Sequence, residues 1–138
     1  MNIELTTKEF RRLLDMVYIG NWILNSTRDE RDRFDDYDLL QEKLFALAPG
    51  EGMPVLTERW RGHALPSKAY EDGGIHEAIA DYEDAVFYDI LAEELARRDL
   101  GYVSGDPENF DELTARMDEY LDVFEKNGLN TVTVELPE

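Results

Sequence analysis

Apolar residues recur at intervals of three and four along most of this chain, which is the spacing of residues on one face of an α-helix. The first such run is the clearest, because Thr6 and Glu9 form the capping box that commonly precedes a helix. The apolar positions that follow on one face are Phe10, Leu13, Leu14, Val17 and Leu24. The sequence therefore predicts a first helix over residues 7–25.

The same spacing predicts three more helices, at about residues 37–47, 75–98 and 107–126. The dipeptide at 49–50 is Pro-Gly and ends the second helix. The fourth begins at Asp106, an N-cap residue followed by proline, and ends at Asn127 before a glycine. Residues 49–74 lack periodicity, and the type of any short element at 53–60 is left open.

A small sheet is predicted from the two ends of the chain. Residues 131–136 alternate between polar and apolar side chains, as in a half-buried strand, and residues 2–5 are their most obvious partner. The expected fold is therefore mainly α (α+β), an irregular four-helix bundle with a small two-stranded sheet that pairs the N- and C-terminal strands. A chain of 138 residues matches a single acidic helical domain, 1–138.

The net charge of −18 is large and unevenly distributed. Residues 1–68 carry 12 acidic and 10 basic side chains, whereas residues 69–138 carry 20 acidic and only four basic ones. Such a surface repels nucleic acid and anionic lipid, and it attracts basic proteins. We therefore predict a basic protein partner, no direct nucleic acid and no membrane; adaptation to high salt is the alternative reading of the same acidity.

Several classes of chemistry lack their sequence signature. There is no cysteine, no Glu-x-x-His pair for a di-metal bundle, and no Gly-x-Ser-x-Gly or glycine-rich phosphate motif. The lack of cysteine makes a reducing cytoplasm the default location, and no apolar run approaches the roughly 20 residues that cross a bilayer. We predict no catalytic residue and no cofactor; Asp89 and Glu93, four residues apart, are weak candidates for a metal.

The segment at 59–63 is a small basic and aromatic cluster in an acidic chain. Arg59, Trp60, Arg61 and His63 suit an anion, a flat ligand or an acidic surface. The alternative interpretation places Trp60 in the core and pairs the arginines with acidic side chains. This cluster is the first place where a specific ligand site is expected.

A row of carboxylates on the fourth helix is the candidate for partner binding, although a merely solvated face is its alternative. Its members are Asp111, Asp118, Asp122 and Glu125. The leading hypothesis is a non-enzymatic protein-interaction module that binds a basic protein through its acidic C-terminal half. The first helix has a second apolar face, so it is either the central helix of the domain or the interface of a homo-oligomer. The other hypothesis is a small enzyme or ligand-binding protein with an anion-binding pocket under residues 49–74.

Overall fold

The computed structural model describes residues 1–101 and 110–138. It is mainly helical, with four helices and a small antiparallel sheet, which confirms the predicted fold class. The described chain divides into two compact units, Met1–Ile79 and Ala80–Glu138. The assignment of the whole chain to one domain stays a prediction.

The first helix, α1, spans Thr7–Asn25, as the sequence predicts. Its capping box is complete: the backbone N–H of Glu9 donates to Oγ1 of Thr6 at 3.2 Å, and the backbone N–H of Thr6 donates to Oε2 of Glu9 at 2.8 Å. These two bonds satisfy donors that the first turn of a helix otherwise leaves unpaired. The local signal alone therefore fixes the start of α1.

The second helix, α2, spans Asp35–Phe45, two residues earlier than expected. Two short 3₁₀ turns follow, and then strand β1 (Thr57–Trp60) pairs antiparallel with strand β2 (His63–Pro66). The undecided segment at 53–60 is thus a 3₁₀ turn leading into a strand.

The predicted location of the sheet was wrong. Residues 2–5 and 131–136 are not strands in the structure, and the sheet is the hairpin of β1 and β2. A hairpin joins neighbouring segments through two residues, whereas pairing the chain ends would require closing a loop of more than a hundred residues. Loop-closure entropy grows with length, so the local pairing is the less costly one.

The core of the first unit lies between α1, α2 and the helical turn Lys68–Tyr70. Phe45 is completely buried and packs edge-on against the ring of Tyr70, with the ring centroids 5.0 Å apart. The hydroxyl of Tyr70 donates to Oδ1 of Asp15 at 2.9 Å. Trp60 takes no part in this core, since 57% of its surface is exposed. The interpretation of Trp60 as a core residue was therefore wrong.

Helix α3 spans His76–Leu100, and helix α4 spans Phe110–Asn127. The predicted start of the fourth helix at 106–107 lies outside the described residues. The buried residues of α3 are Ile79 in the first unit and Ala92 and Ala96 in the second. In the second unit, the ring of Tyr88 lies 5.3 Å from that of Phe124.

Candidate functional site

The four residues of the basic and aromatic cluster lie together in the hairpin. Trp60 and His63 are the last pair of the ladder, and Arg61 and Gly62 form the turn between them. Both turn residues have positive φ, 50° for Arg61 and 82° for Gly62. This is the pattern of a type I′ turn, whose twist matches that of the two strands. The local sequence thus brings the predicted ligand residues into one exposed loop.

The two arginines of the hairpin contact the hairpin itself. The guanidinium of Arg61 lies over the indole of Trp60, 4.5 Å from the ring centroid. The Nη1 atom of Arg59 donates to the carbonyl of Gly62 at 3.4 Å. Within residues 1–101 and 110–138, neither guanidinium forms an ion pair with a carboxylate. The alternative interpretation, in which acidic side chains neutralise both arginines, is therefore not what the described residues show.

His63 instead contacts α2. Its Nδ1 atom lies 3.0 and 3.2 Å from the two carboxylate oxygens of Glu42. A carboxylate can only accept hydrogen bonds, so Nδ1 carries the proton that is donated. The contact connects the hairpin to the face of α2 beside it.

A groove of about 420 Å³ lies between α2 and the hairpin. We call it the hairpin groove. Its apolar lining includes Trp60, Leu39 and Leu65, and its polar lining includes Arg33, Asp35, Asp38, Glu42 and His63. Three carboxylates against one guanidinium make this lining acidic. Arg59 and Arg61 do not line the groove.

Asp38 accepts more hydrogen bonds than the other two carboxylates that line the hairpin groove. It accepts hydrogen bonds from Nε of Arg33 at 2.5 Å, from Nη2 of Arg33 at 2.9 Å and from Nδ2 of Asn21 at 2.9 Å. The hydrogen bonds from Arg33 have the largest effect and lower the pKa of Asp38; burial opposes them, and the bond from Asn21 lowers the pKa further. Asp38 therefore stays ionised and fixes the position of Arg33.

The lowered pKa of Asp38 predicts how its contribution to stability depends on pH. A carboxyl group whose pKa is lower in the folded state stabilises the fold above its unfolded pKa, and the stabilisation is lost as pH falls through the folded pKa. We expect Asp38→Asn to lower the free energy of unfolding by about 1 kcal/mol at pH 7, because the side chain is one-third exposed and its charged hydrogen bonds are partly screened. The difference should shrink below about pH 4, near the unfolded pKa.

Urea unfolding at pH 7 and at acid pH measures this difference. Asp36→Asn is the matched control, because Asp36 is an exposed neighbour in the first turn of α2 and does not line the groove. A difference between wild type and Asp38→Asn that stays constant down to pH 2.5 or below would contradict the assignment.

The sequence analysis did not identify the acidic residues of the hairpin groove as part of a site. Asp35, Asp38 and Glu42 are spaced by three and four residues, so they share one face of α2. This spacing could have identified the face. It could not have shown that the face lies beside the hairpin, because that depends on the contact of α2 with β2.

The predicted partner-binding carboxylates share one exposed face of α4. At 100° per residue, Asp111, Asp118, Asp122 and Glu125 fall within an arc of about 60°, and they extend over about 21 Å of helix. All four are exposed. Asp122 lies 3.9 Å from Nζ of Lys126, and no other ion pair involves these four within the described chain. We call this set the acidic face.

The two candidate metal ligands, Asp89 and Glu93, differ in their contacts. Asp89 is exposed, whereas Glu93 accepts hydrogen bonds from Nε and Nη2 of Arg97 at 2.9 and 2.6 Å. Residues 1–101 and 110–138 contain no group of three or more potential ligands that could hold a metal ion. Glu93 is thus engaged by a cation of the chain itself.

A second group of titratable side chains lies in the first unit. The hydroxyl of Tyr18 is 2.7 Å from Nε2 of His76, whose ring meets the indole of Trp22 edge-on at 4.9 Å. Burial, together with the nearby carboxylate of Glu71, raises the pKa of Tyr18 to about 12. Tyr18 is therefore a neutral phenol at physiological pH, and the group fills space between α1 and the start of α3.

No helix in the described part of the chain is long and apolar enough to span a bilayer. Comparisons with protein-family models, with curated proteins and with solved structures give no match for this chain.

Proposed function

We propose that this chain is a non-enzymatic protein-interaction module that binds a basic protein partner through its acidic C-terminal half. The observation that carries the proposal is the acidic face: four exposed carboxylates on one side of α4, of which only Asp122 is ion-paired within the described residues. The surroundings reinforce it. Residues 80–138 carry 17 acidic and four basic side chains, a formal charge of −13.

Such a charge distribution favours both a fast association rate and a higher affinity for a basic partner. Complementary charge accelerates encounter and excludes partners of like sign, and the effect weakens as salt screens it. Individual exposed ion pairs contribute little, about 0.2–1 kcal/mol each. A row of four on one rigid helix can therefore supply about tenfold in affinity.

The test compares two variants of equal net charge. The first neutralises the acidic face (Asp111→Asn, Asp118→Asn, Asp122→Asn, Glu125→Gln). The second neutralises four exposed carboxylates of the first unit (Glu4→Gln, Glu30→Gln, Glu51→Gln, Glu77→Gln). Each raises the formal charge by four, so the comparison tests where the charge is removed at equal net charge.

Binding of a lysine-rich helical peptide is measured by titration calorimetry at low and physiological salt. We expect the first variant to lose about tenfold in affinity and the second to stay within about twofold of wild type. Equal losses in both variants would show that overall charge, rather than the acidic face, attracts the peptide. Adaptation to high salt is the competing explanation that such a result would favour.

The second candidate function is a small enzyme or ligand-binding protein that holds an anion under residues 49–74. It is supported by the two guanidinium groups of Arg59 and Arg61, which lack a carboxylate partner in the described chain. A ligand that binds the native state raises its melting temperature. Phosphorylated and carboxylated metabolites should do so for wild type and not for Arg59→Gln with Arg61→Asn; a flat response in wild type would remove this candidate.

We further propose that the chain is cytoplasmic. We also propose that it self-associates through the outer face of α1. Met16, Ile19 and Ile23 are spaced along that face and are all exposed, Met16 by 71%. Sedimentation equilibrium should give a dimer mass for wild type and a monomer mass for Ile23→Glu. Val55→Glu, at another exposed apolar position, is the control. A monomeric wild type would exclude the dimer.

A further inference from the structure

We propose that the hairpin groove binds an arginine side chain of a partner peptide. The site involves residues 33–65 of the first unit, so it is separate from the acidic face and does not depend on the function proposed for that face. Its volume of about 420 Å³ falls in the range of ligand pockets, roughly 300–1,000 Å³. Four features of its lining point to a guanidinium with an apolar stem.

The first feature is the apolar part of the lining. Trp60, Leu39 and Leu65 all line the groove and are all exposed. Exposed aromatic and aliphatic side chains of this size lie more often inside a protein or at an interface. They provide a surface on which the methylene groups of a long basic side chain can lie, because such chains bury their stems while the charged end stays polar.

The second feature is an available carboxylate. Asp38 is occupied by Arg33 and Asn21, and Glu42 by His63. The carboxylate of Asp35 accepts no hydrogen bond in the described chain and acts on Arg33 through its charge alone. Asp35 is therefore positioned to receive an added cation without breaking a contact of the fold.

The third feature is the behaviour of the indole itself. The guanidinium of Arg61 lies 4.5 Å from the centroid of the Trp60 ring, so this indole already takes part in a cation–π contact, and 57% of its surface is exposed. Cation–π contacts of arginine with tryptophan contribute about 0.5–1 kcal/mol at exposed sites and more when they are desolvated. A guanidinium suits such a site better than an ammonium does, since it is planar and less strongly hydrated.

The fourth feature is the sign of the charge. The lining holds three carboxylates and one arginine, in a chain with a formal charge of −18. An anion in this groove would meet three carboxylates and a single guanidinium, that of Arg33, which already binds Asp38. Charge complementarity therefore selects a basic occupant here, even though the adjacent turn carries two arginines.

The experiment uses the full chain, labelled with ¹⁵N, and follows the indole N–H signal of Trp60. The chain has two tryptophans, so Trp60→Phe assigns the signal. The probe is acetyl-Leu-Arg-Leu-amide, and its matched control is the same peptide with citrulline, a neutral isostere of arginine. We expect the arginine peptide to shift the Trp60 signal saturably and the citrulline peptide to bind at least about fivefold more weakly.

Two variants locate the charge. Asp35→Asn should weaken the arginine peptide about two- to fivefold, while Asp36→Asn, one residue away and outside the groove, should leave it unchanged. The variant that neutralises the acidic face should bind this peptide like wild type, so failure of one site is distinguishable from failure of the other.

Equal binding of the arginine and citrulline peptides would overturn the proposal, as would equal affinities in Asp35→Asn and Asp36→Asn. A shift of the Trp60 signal by inorganic phosphate, with none by the arginine peptide, would overturn it in favour of the anion site. The amide spectra of both variants report whether they fold.

Discussion

Asn25→Ala is expected to lower the free energy of unfolding of the first unit by about 3 kcal/mol or more. Asn25 is 1% exposed and joins the end of α1 to the chain that enters α2. Its Oδ1 accepts from the backbone N–H of Phe34 at 2.8 Å, and its Nδ2 donates to the carbonyl of Phe34 at 3.1 Å and to Oδ1 of Asn21 at 2.7 Å. Alanine removes all three bonds and leaves polar groups unpaired in a buried place, each costing about 1–3 kcal/mol.

Tryptophan fluorescence during urea unfolding measures this change, because both tryptophans, Trp22 and Trp60, belong to the first unit. Asn2→Ala is the control, since Asn2 belongs to the first unit, is exposed and forms no side-chain hydrogen bond in the described chain. A loss under about 1 kcal/mol for Asn25→Ala would mean that water or a small rearrangement replaces the three bonds.

Asn25→Asp separates the hydrogen bonds from simple packing. The aspartate keeps an acceptor for the N–H of Phe34 but places a buried negative charge beside the carbonyl of Phe34 and Oδ1 of Asn21. Desolvation and these acceptors should raise its pKa in the folded state above the unfolded value. When the folded-state pKa is raised, the group's contribution to the free energy of unfolding is largest at acid pH and is lost as pH rises through the folded pKa. Asn25→Asp should therefore be more stable at pH 4 than at pH 7, relative to wild type.

Phe45→Ala should cost about 3–5 kcal/mol, the usual range for removing a fully buried phenylalanine. Phe45 is 0% exposed, and its edge-on contact with Tyr70 connects α2 to the turn that precedes α3. The hydrophobic free energy lost with the buried ring and the cavity left behind both contribute to this cost. The backbone carbonyl of Phe45, which accepts from Oγ1 of Thr57 at 2.7 Å, is unaffected by the substitution.

The control is Phe110→Ala, in which a phenylalanine that is 67% exposed is removed. Its expected effect is within about 0.5 kcal/mol, as for most exposed positions. Urea unfolding followed by tryptophan fluorescence serves for Phe45, and circular dichroism of the helices serves for Phe110. A Phe45→Ala variant within 1 kcal/mol of wild type would contradict the described core.

The sequence predicted α1 to the residue because everything that defines it is local. The capping box lies within four residues, and residues at helical spacing are buried as far as Asn25. The sheet was misplaced for the opposite reason. Residues 131–136 alternate well, but alternation does not identify a partner, and the hairpin turn is Arg-Gly rather than the Asn-Gly that usually signals a type I′ turn.

The candidate sites divide in the same way. The acidic face was predictable, since Asp111, Asp118, Asp122 and Glu125 need only one helix to share a side. The hairpin groove was not, because its walls come from two separate elements, α2 and the hairpin, joined by the contact of His63 with Glu42, which are 21 residues apart. The exposure of Trp60 was also beyond the sequence, as an indole is more often buried. Its burial is decided by how the hairpin lies on α2.

The most direct test of the proposed function is a map of where a basic peptide binds. The lysine-rich peptide is titrated into the ¹⁵N-labelled chain, and the changes in backbone amide shifts are followed at low and at physiological salt. We predict that the largest changes lie at and beside Asp111, Asp118, Asp122 and Glu125, and that they weaken together as salt rises. Changes spread evenly over the exposed carboxylates of residues 80–138, or none on α4, would contradict the assignment of partner binding to the acidic face.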